Sequence, residues 1–469
     1  MLPDIALLGI FEFYMDENWI EAWQILVHVC RNWRAVVFGS PRRLDLRLYC
    51  AATTPVGEML DIWPLFPIVV WGDGCDIWGV NNIIAALEHN DRICQLDLKL
   101  PSWEMKKVLA AMQKPFPVLT SLNVSPRSEI APIDPDLFMG GSAPHLQTLV
   151  LNNISFPGLP KLLLSATRLV YLDLWLIPHS GYISPETMLT CLSVLTGLER
   201  LKIGFTDPQS RPDRRSPPSL TPTFLPVLTK FWFQGVTEYL EDLVAKIDAP
   251  LLDNLTGTFF YQPLFSSPQL IQFIDRTPKL KAHDQARVFF GPNSESSSWV
   301  TLPQTSGGKL RLEIIKCRLS DQLSSLTQLC SSSIPRALIS AVDRLYIAEG
   351  DSNYLCFEED IEYSPVQWLE LLRPFVAVKY LYISREYTPH IVLALQELVG
   401  ERATEVLPTL QTLFLEETHP PGPVQEAVGQ FVAARQLVGQ RIALSCWNGI
   451  SRIKDIWVGV KDVWGEMED

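Results

Sequence analysis

Apolar residues recur along the chain with two different periods, and the change from one to the other marks its first boundary. In "LPDIALLGIFEFYM" (2–15), Leu7, Ile10, Phe11 and Tyr14 stand at i, i+3, i+4 and i+7, the spacing that lines one face of an α-helix. Pro3 suits its first turn, where a missing N–H costs least. A second helical pattern runs through Trp23, Leu26, Cys30, Trp33 and Val37, and "GSP" at 39–41 ends it. Two amphipathic helices are therefore expected before residue 42.

From residue 43 the period becomes two. "RLDLRLYC" alternates Leu44, Leu46 and Leu48 with Arg43, Asp45 and Arg47, which predicts a half-buried strand. Segments of LxxLxL type then recur: "ICQLDLKL" at 93, "LTSLNVSP" at 119, "LQTLVLNN" at 146, "LVYLDLWL" at 169, "LERLKIGF" at 198 and "LTKFWFQG" at 228. Their second apolar residues fall at 96, 122, 149, 172, 201 and 231, giving intervals of 26, 27, 23, 29 and 30 by subtraction. "FPIVVWG" (66–72) supplies a degenerate strand before them. Longer repeats return at "VDRLYIAEG" (342), "VKYLYISRE" (378) and "LQTLFLEET" (410). Helical runs separate the strands, as in "WEMKKVLAAM" (103–112) and "ETMLTCLSVL" (186–195).

A strand–turn–helix unit of this length cannot bury its own edges and gains by stacking on its neighbours. The expected fold is α/β: a leucine-rich-repeat solenoid, a curved parallel sheet with outer helices, capped N-terminally by a small all-α unit. The boundaries read as a helical domain at 1–42, irregular repeats at 43–446 and a C-terminal tail at 447–469 forming a short helix. An exposed Pro/Ser/Arg loop is expected at about 206–224, with "SP" at 216–217 as a phosphorylation candidate. The repeats degenerate at about 250–310, where "ARVFFGP" reads as an irregular strand and "SESSSW" and "QTSGG" as flexible loops.

Composition narrows the function classes. The 469 residues are 47% hydrophobic and 19% charged, enough apolar material for an extended core. A formal charge of -13 and a pI near 5.1 argue against a nucleic-acid partner, which needs a concentrated basic surface; the local cluster at Arg31, Arg34, Arg42, Arg43 and Arg47 reads as a solvated face or partner contact. The nine cysteines are odd in number, scattered and never spaced as CxxC. That fits thiols in a reducing compartment, hence a cytoplasmic or nuclear protein. The N-terminus carries Asp4 and no basic segment, unlike a secretory signal, and the apolar run at 60–72 is too short for a bilayer. A tail face of Ile453, Ile456, Trp457, Val460 and Trp464 is expected to pack on the last repeat rather than on a membrane, since alternating Lys and Asp give it no basic character.

Catalytic constellations are absent from the sequence. None of the seven histidines sits in HExxH, near GxSxG or at metal-ligand spacing, and no GxGxxG or GxxxxGK[ST] loop is present. "HD" at 283–284 has no partner in sequence, and "FEEDIE" at 357–362 reads as a solvated acidic loop. No catalytic, cofactor or metal residue is expected.

"LPDIALLGIF", "WQILVHVCRNWRAVVFGSP" and "RLDLRL", followed by these repeats, resemble the F-box/leucine-rich-repeat proteins abundant in mushroom-forming fungi. The resemblance continues through 366–439, with "VQWLELLRPFVAVKYLYIS", "EVLPTLQTLFLEE" and "GPVQEAVGQFVAARQLVG". It implies a non-catalytic substrate receptor of an SCF-type (cullin-RING) ubiquitin ligase, whose F-box binds a Skp-type adaptor while its repeats hold an unknown protein target. By position, Leu2, Pro3, Leu7, Ile10 and Phe11 match the family's adaptor contacts. Val29, Cys30, Trp33 and Arg34 match its "VCrxWR" segment, and Val29, Cys30 and Trp33 are expected to pack the box. Ile5 stands where the family often carries an acidic residue. The alternative is a leucine-rich-repeat interaction scaffold with no ligase role, its helices only capping the solenoid.

Side chains alternate along a strand, so the residues between the leucines share the face away from the helices. These are Asp97, Asn123, Val150, Asp173, Lys202 and Trp232, flanked by Tyr171, Trp175, Arg200 and Lys230. The later strands add Arg344, Tyr346, Tyr380, Tyr382 and Phe414. Arg and aromatic residues are frequent interface anchors, although aromatics also favour strands for packing alone. The patch around Trp175, Arg200, Lys202 and Trp232 is expected to contact the target.

Overall fold

The structure is a computed structural model describing residues 2–16, 22–51, 53, 55–73, 77–127, 138–156, 158–208, 222–281, 283–291, 297–304, 307–349, 364–416 and 422–447. The chain forms two compact units, Met1–Asp207 and Pro208–Asp469. The heart of the loop at 206–224, the Ser-Pro pair, the acidic run at 357–362 and the tail beyond Trp447 lie outside the described residues.

The first unit opens with three helices, α1 (Asp4–Asp16), α2 (Ala22–Val29) and α3 (Arg31–Gly39), where the apolar period suggested two. Cys30 makes the difference. Its backbone is extended (φ -159°, ψ 169°) and its sulfur accepts from Trp33 N at 3.4 Å, so it starts a new helix inside an unbroken hydrophobic pattern. Phe11 is fully buried and meets Trp33 edge-on at 4.8 Å between ring centroids. Trp23, also fully buried, joins the helices to the repeats: it packs on Trp63 (5.0 Å) and Phe66 (5.6 Å), and its Nε1 donates to Arg47 O at 2.9 Å.

Seven parallel strands follow in sequence order: β1 (Leu48–Ala51), β2 (Ile68–Asp73), β3 (Ile93–Lys99), β4 (Ser121–Val124), β5 (Thr148–Asn152), β6 (Tyr171–Ile177) and β7 (Arg200–Phe205). Helices α4 (Val56–Ile62), α5 (Ile77–Leu87), α6 (Ser102–Ala111), α7 (Leu159–Ser165) and α8 (Pro185–Leu192) lie between them. The first strand starts at Leu48 rather than Arg43. Residues 41–45 form a turn in which Asp45 is left-handed (φ 45°), and that turn buries Leu44 and Leu46 without strand pairing. From β3 onward the leucines form one ladder, Leu96↔Leu122↔Leu149↔Leu172↔Leu201, all buried. Local chemistry starts the helices: Pro185 occupies the first turn of α8, and Ser184 Oγ accepts from Thr187 N at 3.2 Å.

The second unit contains β8 (Thr223–Phe224), β9 (Lys230–Gly235), β10 (Ile247–Asp248), β11 (Asn254–Phe260), β12 (Gln285–Phe290), β13 (Ser298–Pro303), β14 (Lys309–Ile315), β15 (Arg344–Glu349), β16 (Tyr380–Ile383), β17 (Thr412–Glu416) and β18 (Ala443–Trp447). The short β8 and β10 pair with each other; the rest run β9-β11-β14-β13-β12-β15-β16-β17-β18. Within and just past the stretch expected at about 250–310 as degenerate repeats with one irregular strand and two loops, residues 285–315 are a regular three-strand meander inserted in reverse order. The strand β13 is antiparallel to both neighbours, while β14 joins β11 and β12 joins β15 in parallel. The helix Leu319–Ser332 then has to return across three strand spacings of about 4.8 Å each, roughly 14 Å. Its 14 residues give about 21 Å of helix, enough for that crossing.

Candidate functional site

On the sheet face away from the helices, β3 to β7 of the first unit carry Asp97, Asn123, Val150, Asp173 and Lys202 in a single register row. Three of these are buried polar groups, with Asn123 at 8%, Asp173 at 6% and Lys202 at 9% exposure. Lys202 Nζ sits 3.3 Å from Asp173 Oδ2, which also accepts from Tyr171 Oη at 2.9 Å. Burial raises the Asp173 pKa against the pull of Lys202, and burial beside Asp173 raises that of Tyr171. The Trp175 ring covers the same ammonium, 4.1 Å from its centroid.

Backbone geometry aims that indole. The β6–β7 register slips between Leu174 and Ile177, and Leu176 is left-handed (φ 52°). A bulge of this kind redirects the side chain beside it, and here Trp175 turns over Gly204. A Cβ at 204 would meet its ring at 2.3 Å, so glycine is required by the close approach. Trp175 and Tyr171 are half-buried and Arg200 is exposed. Trp232, expected in the same patch, lies on β9 of the second unit, half-buried.

In the second unit the later strands present a ladder of aromatic rings. Tyr346 stacks on Tyr382 at 4.3 Å and 10°, and Tyr382 on Phe414 at 4.3 Å and 9°. Tyr380 flanks them, half-buried, 6.5 Å from Phe414. Trp447 closes the ladder, tilted against Tyr346 and Tyr382, with Nε1 donating to Ile383 O at 3.0 Å. Burial next to Tyr346 pushes the Tyr382 hydroxyl up to about 12. Across the meander, Arg311 lies over Trp299 (4.3 Å), and Arg287 over Tyr346 (5.7 Å). Trp299 falls in "SESSSW", expected as a loop, and Arg287 in the expected irregular strand "ARVFFGP"; the alternation of "QARVFF" and "KLRLEII" places Arg287 and Arg311 on the outer face.

The helical unit divides its candidate residues. Leu7 (5% exposed) and Phe11 (0%) belong to its core, whereas Leu2 (56%) and Ile10 (51%) stand in solvent, as does Pro3. Ile5 (72%), which stands at the family's often acidic position, and Phe13 (65%), not singled out from the sequence, share that outward arc of α1. Of the residues expected to pack the unit, Trp33 does so against Phe11, while Val29 and Cys30 are exposed. Ile25 lies one turn before Val29 on α2 and is exposed too.

Among the described residues, no group of three His, Cys, Asp or Glu side chains is arranged to hold a metal ion, and no helix is long and apolar enough to cross a membrane. The seven described cysteines are free thiols.

No family model and no curated protein matches the sequence. Among solved structures the chain is similar to the leucine-rich-repeat-containing protein LegL7 of Legionella pneumophila, with 13% identity, 82% of this chain and 97% of that chain covered, and a TM-score of 0.27. At that score the likeness carries no weight of its own. The leucine-rich-repeat fold stands on the ladder of paired leucines and the helices between them.

Proposed function

We propose that the protein is the substrate-recognition subunit of an SCF-type cullin-RING ubiquitin ligase. In this reading α1 binds a Skp-type adaptor, the repeat sheet holds a target protein, and the chain itself performs no chemistry. The observation that carries it is the outward arc of α1, where Ile5, Ile10 and Phe13 are each more than half exposed while the opposite side of the same helix supplies the core with Leu7 and Phe11. A helix that served only as a cap would expose polar residues there, because apolar side chains left in water forgo about 1.5–3 kcal/mol each. The sheet surface supports the second half of the reading: it offers half-buried aromatics and arginines, the usual anchors of protein interfaces.

Adaptor capture tests the proposal. The full chain should co-purify with a Skp-type adaptor, and Ile10→Glu with Phe13→Glu should abolish capture while leaving the melting profile unchanged, because both positions face solvent. If the wild-type chain never captures the adaptor, the ligase role falls and the repeats are left as an interaction scaffold.

A further inference from the structure

The sheet face of the second unit gathers basic side chains in a chain that is acidic as a whole. Alternating with buried core positions, Lys230, Lys309, Arg311, Arg287 and Arg344 lie on the side away from the helices, as do Glu313 and Glu416, and Arg344 has Asp343 at 3.7 Å and Asp284 at 3.9 Å. The whole protein has a formal charge of -13, and here five cations stand beside four carboxylates, so the telling feature is which cation lacks one.

Two of these cations differ in what neutralises them. Arg311 has Glu313 Oε2 at 3.1 Å. Arg287 lies two strands away, with Thr301 between them in register, about 10 Å at ordinary strand spacing. Only 7% exposed, it has Gln285 Oε1 at 3.3 Å, the ring of Tyr346, and no carboxylate among the described residues; its Nε is buried with no hydrogen-bond partner. Burial lowers its pKa accordingly. A guanidinium withdrawn from water without a counter-charge is costly, and the partner it lacks is an anion.

We propose that this face binds an extended acidic segment of the target protein, with a carboxylate on Arg287, further acidic groups near Arg311 and Arg344, and an apolar side chain against the Tyr346–Tyr382–Phe414 ladder. The proposal rests on the receptor reading above and names its substrate class. A single-stranded nucleic acid fits the same charge but not the rings. Bases need open aromatic faces to stack on, and these rings already lie flat against one another at 4.3 Å. What remains accessible is a ladder of edges beside the guanidinium groups, suited to an aliphatic or aromatic side chain next to a carboxylate.

Fluorescence anisotropy with the purified full chain, no adaptor present, tests this. The probes are a short labelled peptide of repeating Glu-Glu-Phe, its Lys-Lys-Phe counterpart, a phosphoserine-phosphoserine-Phe version and a short oligothymidylate. The Glu peptide should bind, more weakly as salt rises. Arg287→Gln and Arg311→Gln should each weaken it about tenfold or more, the loss expected for one charge-assisted hydrogen bond. Arg344→Gln, at a more exposed position where folding is not at stake, should weaken it and flatten the salt dependence, while Arg200→Gln in the first unit should change nothing. The proposal is overturned if the Lys peptide binds equally well, if no probe binds, or if the three variants melt normally and bind like wild type. Preferential binding of oligothymidylate, or of the phosphoserine peptide alone, also overturns it. Because no adaptor is involved, failure here leaves adaptor capture intact, and failed capture leaves this result intact.

Discussion

Replacing Arg435 by Met sets two opposed terms against each other at one residue. Arg435 lies on the helix Pro423–Leu437 and is fully buried. It donates to Leu407 O at 3.2 Å, to Gln440 Oε1 at 2.7 Å and to Val406 O, and so holds the turn in which Leu407 is left-handed (φ 51°). Burial lowers its pKa well below the usual guanidinium range, to about 10, a difference worth ~3 kcal/mol of lost hydration. Met removes that cost but leaves three acceptors unpaired at about 2 kcal/mol each. The net loss is roughly 2–3 kcal/mol, or about 30- to 150-fold in a local opening equilibrium. In a repeat stack such a loss stays near its origin, so amide exchange in the full chain is the suitable assay. Amides of 423–437 and of β17 should exchange faster by that factor, with β3 to β6 unchanged. Equal or greater protection in the variant would refute the argument, showing that hydration of the guanidinium outweighs the turn it secures.

Gly204→Ala should destabilise the first unit by about 1–3 kcal/mol, because the added methyl lands on the Trp175 ring. Intrinsic Trp emission should shift as that indole leaves Lys202, and an unchanged spectrum with unchanged melting would count against the contact. His283 is buried (6% exposed), with ring nitrogens near Leu280 O at 2.9 Å and Pro303 O at 3.2 Å, and its pKa is lowered, mainly by burial. The unfolded chain therefore takes up this proton first as pH falls through about 6.5, and the native state loses stability below that value. The melting-temperature gap between wild type and His283→Gln should be widest above pH 7 and shrink toward pH 5; a constant gap would exclude the titration.

The repeats were legible because their information is local and redundant. Each strand carries its own two-residue alternation, and the recurrence of Leu96, Leu122, Leu149, Leu172 and Leu201 states which residues pair before any coordinate is known. Strand order and direction are not local. The segment 285–315 has the same alternation whether its strands follow one another or fold back, and only the pairing of β14 with β11 and of β12 with β15 reveals the reversal. Backbone breaks are equally silent in the apolar pattern. Cys30 interrupts a helical period without altering it, and the turn at 41–45 imitates a strand by burying Leu44 and Leu46.

The candidate sites were legible as faces but not as states of occupation. Alternation places Asp173 and Lys202 on the outer row of the sheet, yet it does not say that they neutralise each other beneath Trp175, nor that Arg287 in the equivalent row of the second unit has no such partner among the described residues. On α1 the i, i+3, i+4, i+7 set mixes Leu7 and Phe11, held inside, with Ile10, held outside, because a helix with apolar residues on both arcs has no single hydrophobic direction. Only the position of α3, with Trp33 against Phe11, decides which arc is core. What is left over is physically distinct in the two places: uncovered apolar surface on α1 and an uncompensated cation on β12. The first calls for an apolar partner surface whose binding is nearly independent of salt, the second for an anion whose binding weakens with it. Salt dependence therefore separates the two interactions within one chain.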